Sequence, residues 1–395
     1  MSKDKKNGVI THKISFKTRI LCYVLMIMSV LGFVNVLYNI KSSKVLDLQA
    51  LAPYRSMCVI SEDGQVLNQY NKDQQLAMAS TTKIVTAIVT IENCDDLDEI
   101  ITVDDKSVGI EGTSIYLRKK EQMSIRNLLY GLILASGNDA AMALACAIGG
   151  TEENFVEMMN KFALDLDLKN THFANPHGLD AKGHYTSTYD LAIITNYALD
   201  NPVFKEIVST KTKILNEGEP NVRYLRNKNK LLFSQDGCVG VKTGFTDNAG
   251  RCLVNACERN GFRVVSVVFN CGPMFEECDK LTEQAYNEYM VKTFVEPYNF
   301  VGNVSVIDGD KNEAFVVTIK GYSKIIKKSE EDMYKVDYDI LETAEAPINA
   351  NTKMGTVKVT YNDEIIYEDG LYSTSEIKNI NIKYKLDTII KSWFI

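Results

Sequence analysis

Apolar and polar positions change their rhythm three times along the chain. Residues 20–40 are almost continuously apolar, broken only by Ser29, Gly32, Asn35 and Asn39. About 20 such residues suffice to cross a bilayer as a helix. Lys3, Lys5, Lys6, Lys13, Lys17 and Arg19 precede the run. A basic flank stays on the cytoplasmic side, so 1–19 is expected in the cytoplasm and 20–40 as a transmembrane anchor. A cleavable signal segment is the alternative, but the run is long for one and no small-x-small site follows it. Either way, residues from about 45 onward are expected to work on the extracytoplasmic face of the cell membrane.

A mixed region follows. SMCVISEDGQVLNQY (56–70) is two short apolar runs around Asp63-Gly64, which predicts a hairpin. IVTAIVTIEN (84–93) predicts a buried helix, and 124–149 a helix pair broken at Ser136-Gly137-Asn138. Phe155, Met158, Met159 and Phe162 have the spacing of one helical face, and 190–199 reads as helix again. From 238 the period shortens to that of strands. CVGVKTGF, RCLVNACER and FRVVSVVFN predict an antiparallel meander, covered by a helix over 274–294. A hairpin at one end, a meander at the other and helices between them predict an α+β domain over 45–295, with both ends in one antiparallel sheet flanked by helices.

From Glu296-Pro297 the pattern becomes short, alternating and turn-bounded. NVSVID, AFVVTI, YKVDYDIL, TVKVTY and EIIYEDG predict a small all-β sandwich over 296–382. In the last segment, 383–395, Leu386, Ile389, Ile390, Trp393 and Phe394 share one helical face. That segment is either an amphipathic helix lying on the membrane or a terminal element packed on the β domain.

Composition narrows the function classes. The 395 residues carry a net charge of −7, which argues against a nucleic-acid partner. No Walker loop, dinucleotide fingerprint or internal repeat occurs, so no cofactor is expected. The nine cysteines form no C-x-x-C pair and no small-scaffold disulfide framework. Several lie in apolar stretches (LACAIG, GRCLVNAC) and are expected as buried thiols.

The candidate chemistry starts at MASTTKIVT (78–86). Ser80 and Lys83 stand three apart at the start of an apolar helix, so the amine can reach the hydroxyl. A serine becomes a useful nucleophile only when a base takes its proton, and a lysine is such a base only when its pKa is lowered. The same four residues also suit a helix cap, with Ser80 at the N-cap and Lys83 in solvent. S-x-x-K alone decides nothing, since it recurs at Ser2 and Ser375.

Two further motifs change that. Ser136-Gly137-Asn138 sits at a helix break and Lys242-Thr243-Gly244 on a strand, in the order S-x-x-K, S-x-N, K-T-G. With LLYGLILASGNDAA, THFANPHGLDAKGHYTS and VGVKTGFTDNAGRCLV around them, residues of about 53–290 resemble serine D-alanyl-D-alanine carboxypeptidases, the low-molecular-mass penicillin-binding proteins of peptidase family S11. The resemblance implies the penicillin-binding-protein/β-lactamase-like transpeptidase fold. Its substrate would be a peptidoglycan stem peptide, and β-lactam antibiotics would acylate the same serine. It implies Ser80 as nucleophile, Lys83 as general base and Ser136 as proton relay. Asn138, Lys242, Thr243 and Gly244 would bind substrate, and the backbone N–H groups of Ser80 and Phe245 would form the oxyanion hole. No metal is implied. His172, His177 and His184 lack a familiar ligand spacing and read as a structured loop beside the cleft. Arg251 is either a carboxylate-recognising residue or a surface one. A D,D-endopeptidase and a non-catalytic wall-binding scaffold are the alternative functions. A class A β-lactamase would need an E-x-x-L-N stretch, which the chain lacks.

Overall fold

The computed structural model describes residues 52–216 and 221–380 and, beyond them, only Met28, Leu386, Ile389 and Ile390 singly. The segments expected at 1–19, 20–40 and 383–395 therefore lie outside the described stretches. Among the described residues no helix is long and apolar enough to cross a membrane.

The hairpin forms as expected from β1 (Ser56–Ser61) and β2 (Val66–Tyr70). Two short ribbons follow, β3–β4 (Ile100–Thr102 with Gln122–Ser124) and β5–β6 (Thr212–Leu215 with Arg223–Arg226). The meander is β7 (Cys238–Thr246), β8 (Gly250–Arg259) and β9 (Phe262–Phe269). Both ends of the domain meet in one antiparallel sheet of order β2-β1-β9-β8-β7. Every residue of β1 and β9 is buried, because both faces of the sheet are covered. Period-two alternation divides them between two layers. Cys58, Ile60, Val265 and Val267 join the larger helical core, whereas Met57, Val59, Val264 and Val268 pack under the other face.

The large core holds α1 (Lys83–Glu92), α2 (Ile125–Tyr130), α3 (Asn138–Gly149), α4 (Glu152–Asp165), α5 (Thr188–Leu199) and α6 (Pro202–Ser209). In α1, Ile84, Val85, Ile88 and Val89 are fully enclosed, each contributing about 1.5–3 kcal/mol by leaving water. Four helix starts are set by side chains: Ser124, Thr151, Ser187 and Asn201 accept N–H groups of the first turns of α2, α4, α5 and α6, and Pro202 takes the first position of α6. A one-turn helix, α7 (Leu231–Ser234), precedes β7.

The helix expected over 274–294 is shorter. It runs as α8 (Met274–Glu288), and Tyr289–Val295 is instead the strand β10. YMVKTFV is rich in β-branched and aromatic residues, which favour a pleated, half-buried surface over a helix. β10 pairs with β13 (Tyr322–Lys327), which the hydrophobic pattern alone did not reveal. Between them lie β11 (Phe300–Ile307) and β12 (Glu313–Thr318); β14 (Tyr334–Ile340), β15 (Thr343–Glu345), β16 (Lys353–Tyr361) and β17 (Glu364–Ser373) follow. β11, β12, β14, β15, β16 and β17 form a six-stranded sheet of order β14-β16-β17-β12-β11-β15, and Val295 of β10 joins its core. The all-β region thus begins at Tyr289, seven residues before Glu296. It is tied to the first domain by Ile325, which packs with Leu281, Ala285 and Tyr286, and by Lys328 Nζ donating to Tyr286 O at 3.0 Å.

Candidate active site

Three segments far apart in sequence line one cleft of about 400 Å³: the turn before α1, the break between α2 and α3, and β7. The first is a 3-10 turn, Ala79–Thr82, entered through Ala79 in the left-handed region (φ 49°). A 3-10 turn has three residues per turn, so positions three apart eclipse. Ser80 and Lys83 are thereby stacked, with Lys83 Nζ 3.0 Å from Ser80 Oγ. Thr81 Oγ1 donates to Met78 O (2.6 Å) and Thr82 Oγ1 to Ala79 O (2.8 Å), holding the turn. The cap reading of Ser80 is overturned: Thr82 is the N-cap of α1, no side chain caps it, and Lys83 is fully buried rather than solvated.

Lys83 Nζ has two further neighbours, Asn138 Oδ1 at 2.7 Å and the carbonyl oxygen of His177 at 2.5 Å. A neutral amine has two N–H bonds and one lone pair. With both hydrogens directed at these acceptors, the lone pair faces Ser80 Oγ. Burial first, then the charges of Lys242 and Lys228, hold the Lys83 pKa well below that of a free lysine.

At the second segment α2 passes into a π-helical turn (Gly131–Ala135), and Ser136 adopts the left-handed conformation (φ 66°) before α3 begins. Such a break ends one helix axis and starts another, which turns Ser136 into the cleft and Asn138 toward Lys83. Asn138 is fixed at its other end, where Nδ2 donates to Glu111 O at 2.6 Å. Asp139 locks the facing loop by accepting the N–H groups of Ile115 (3.0 Å) and Leu117 (2.9 Å) and the hydroxyl of Ser114 (2.5 Å).

The third segment is the edge strand β7, hydrogen-bonded to β8 on one side only. Alternation puts Lys242 and Gly244 on the inner face and Thr243 and Phe245 on the outer one. Lys242 is buried and Phe245 is 63% exposed. A Cβ at Gly244 would lie 3.1 Å from Ser80 N, Ala79 Cβ and Met78 O, so the strand passes directly over the Ser80 turn. This close approach is why glycine follows Lys242-Thr243. Burial, reinforced by Lys228, lowers the Lys242 pKa to about 7.

Of the residues singled out in the sequence, Ser80, Ser136, Thr243, Gly244 and Phe245 line the cleft, while Lys83, Asn138 and Lys242 are buried beside it. Arg251, paired across the sheet with Phe245, also lines it. The histidines serve their loop. His184 Nδ1 accepts the Ala174 N–H (3.0 Å) and Nε2 meets Thr82 Oγ1 (2.8 Å), while His177 Nδ1 accepts the Leu179 N–H (3.2 Å). Burial pushes their pKa values down to about 4 and about 3, so both are neutral.

The sequence reading missed Lys228, the His177 carbonyl and Gly178. Backbone atoms leave little trace in side-chain patterns, but the Pro-His-Gly of 176–178 was a signal. Gly178 has φ +90°, and a Cβ there would lie 2.0 Å from Ala79 O. Replacing Gly178 with alanine is expected to cost on the order of 3 kcal/mol and to displace the Ser80 turn. A thermal melt and penicillin labelling check this; an unchanged melting temperature with normal labelling would refute it.

Comparison with known proteins agrees with this geometry. A family model described as D-alanyl-D-alanine carboxypeptidase matches residues 46–272, and one described as the C-terminal domain of penicillin-binding protein 5 matches 289–379. D-alanyl-D-alanine carboxypeptidase DacF of Bacillus subtilis is 31% identical over 86% of this chain and 90% of its own length. DacD of Escherichia coli is 32% identical over 76% of this chain and 80% of its own. Among solved structures, penicillin-binding protein 5 of Haemophilus influenzae has a TM-score of 0.62 and 27% identity, covering 83% of this chain and 98% of that one. Penicillin-binding protein 6B of Escherichia coli has a TM-score of 0.64 and 26% identity, covering 80% and 94%. The chain therefore belongs to the serine D-alanyl-D-alanine carboxypeptidases of peptidase family S11, with the C-terminal domain of penicillin-binding protein 5 following its catalytic domain.

Proposed function

We propose that the chain removes the terminal D-alanine from peptidoglycan stem pentapeptides through an acyl-enzyme on Ser80. The observation that carries this assignment of roles is the buried, pKa-lowered Lys83 amine 3.0 Å from Ser80 Oγ, with acceptors for both its hydrogens. Lys83 takes the Ser80 proton as Oγ attacks the carbonyl of the penultimate D-alanine. The N–H groups of Ser80 and Phe245 hold the oxyanion. Ser136, on the opposite wall, passes a proton to the departing amine. The substrate lies along the free edge of β7 as an added strand, and water then releases the shortened peptide. β-Lactams acylate Ser80 by the same attack.

The charge of the cleft favours a free terminal carboxylate over an amide-linked donor. Lys228, Lys230 and Arg251 line it and, among the described residues, no Asp or Glu does, although the whole chain is acidic. Lys230 is engaged over the Phe275 ring, which leaves Lys228 and Arg251 beside Thr243. Replacing Arg251 with alanine is expected to raise KM for pentapeptide about tenfold with little change in kcat. An unchanged KM would return Arg251 to a surface role. Incubating muropeptides with the full chain in detergent should remove one alanine from pentapeptides by mass spectrometry. Opened cross-links without that loss would favour the endopeptidase, and no change in either would favour the scaffold.

The pH profile follows from the same amines. Productive free enzyme needs Lys83 neutral and, to attract the carboxylate, Lys242 charged. Because Lys242 loses its proton near pH 7, kcat/KM for a carboxylate-bearing peptide should fall above that pH. It should fall again toward acid as Lys83 gains a proton. In Lys242→Arg the cation persists, so the alkaline limb should move up by several pH units. An unmoved limb would assign it to another group.

The apolar run at 20–40 with its basic flank supports an anchor that leaves the catalytic domain on the extracytoplasmic side. Recovery of peptides from 1–19 in the membrane fraction tests it against cleavage.

A further inference from the structure

We propose that Cys238 and Cys257 form a dithiol site that closes to a cross-strand disulfide by exchange with a small disulfide. The two residues stand directly opposite each other at the start of β7 and the end of β8. The Glu258 N–H donates to Gly237 O at 2.9 Å, which makes the neighbouring Gly237–Glu258 position a hydrogen-bonded one. In an antiparallel ladder the two kinds of position alternate, so Cys238–Cys257 is a non-hydrogen-bonded pair. In such pairs the side chains are closest, with Cα atoms about 4.5 Å apart, inside the range that a disulfide spans.

Both thiols pack against the apolar layer on this face of the sheet, as expected for Cys257 from the sequence, and each also has polar partners. Cys238 Sγ donates to Asn255 Oδ1 (3.3 Å) and Gly240 O (3.5 Å). Cys257 Sγ donates to Gln235 Oε1 (2.9 Å), which also accepts from Asn255 Nδ2 (2.9 Å). Gln235 is itself held by Asp279 through Nε2 (2.7 Å). The two sulfurs differ in access and acidity. Cys238 is partly exposed, and contact with the Cys257 thiol, aided by Lys211, holds its pKa below the ordinary thiol value; Cys257 is fully buried and its pKa is raised.

That difference divides the labour. The Cys238 thiolate attacks one sulfur of the incoming disulfide, breaking its S–S bond and expelling one thiolate. Cys257 then attacks Cys238 Sγ, breaking the mixed disulfide and expelling the second thiolate, which takes up the Cys257 proton. The protein loses two electrons and two hydrogens, and the small disulfide becomes two thiols. Of the other cysteines, Cys58 and Cys252 lie on the opposite face of the sheet, whereas Cys271 and Cys278 share this face and are the competing pair. The bond would staple β7 to β8 four residues before Lys242, at the bulge between Cys238 and Gly240.

The test treats the reduced full chain in detergent with oxidised glutathione, then alkylates the remaining thiols in denaturant. The reactive thiols should fall from nine to seven, with the peptides holding Cys238 and Cys257 linked and the link reversed by dithiothreitol. The oxidised form should melt a few degrees higher than the reduced form, a difference that vanishes in Cys238→Ser. Nine thiols remaining, a stable glutathione adduct on Cys238, or a link between Cys271 and Cys278 would each overturn the proposal. Peptide mapping of the wild type gives the answer even if a substituted chain folds poorly.

Discussion

Ser80→Ala is expected to abolish covalent labelling by fluorescent penicillin and to lower pentapeptide hydrolysis on the order of 10^4-fold or more, with a thermal melt close to that of the wild type. The magnitude follows from the loss of the covalent route, which leaves only substrate positioning and the oxyanion donors. The fold should tolerate the change because the Ser80 hydroxyl supports no backbone group. The turn is held by Thr81 and Thr82, whereas Ser80 Oγ is hydrogen-bonded to Lys83 Nζ. Binding of a non-covalent pentapeptide should persist, since Lys242, Thr243 and Arg251 are untouched. Undiminished penicillin labelling of the alanine variant would sink the acyl-enzyme assignment.

Lys83→Met should be nearly as damaging to acylation, again on the order of 10^4-fold, through a different defect. Methionine is long enough to fill much of the slot of a fully buried lysine but offers no lone pair to Ser80 Oγ. It also leaves Asn138 Oδ1 and the His177 carbonyl without their partner, so the loop carrying His177 should loosen. The acid limb of the pH profile should disappear, because the group that titrates there is gone. Rapid acylation with the acid limb intact would mean that another group takes the Ser80 proton. Measuring the second-order acylation rate from pH 5 to pH 9 separates the outcomes.

The family and the residue set were legible from three short motifs in order, because acyl transfer demands particular side chains and a strand needs glycine where it crosses the nucleophile turn. The hairpin, the broken helix pair and the meander were legible from periodicity. The end of α8 was not. Tyr289–Val295 has a pattern that either a helix or a strand can use, and it becomes strand because β13 (Tyr322–Lys327), well downstream, supplies a pairing edge. The cap reading of Ser80 fits MASTTKIVT alone, loses ground once the other two motifs are read with it, and fails in three dimensions, where Lys83 is enclosed by Asn138 and the 177–178 loop.

Taken alone, then, the sequence determined the candidate nucleophile and base, the motif order, the α+β pattern and the basic, apolar N-terminus. These are local properties of side-chain type and spacing. Tertiary structure decided that Lys83 is buried beside Lys242 and Lys228, that the His177 carbonyl and Asn138 orient its lone pair, and that Arg251 shares the cleft. It also decided that Cys238 faces Cys257. Each of these depends on segments distant in the sequence meeting in space, and desolvation, Coulomb interaction and strand register exist only once they have met.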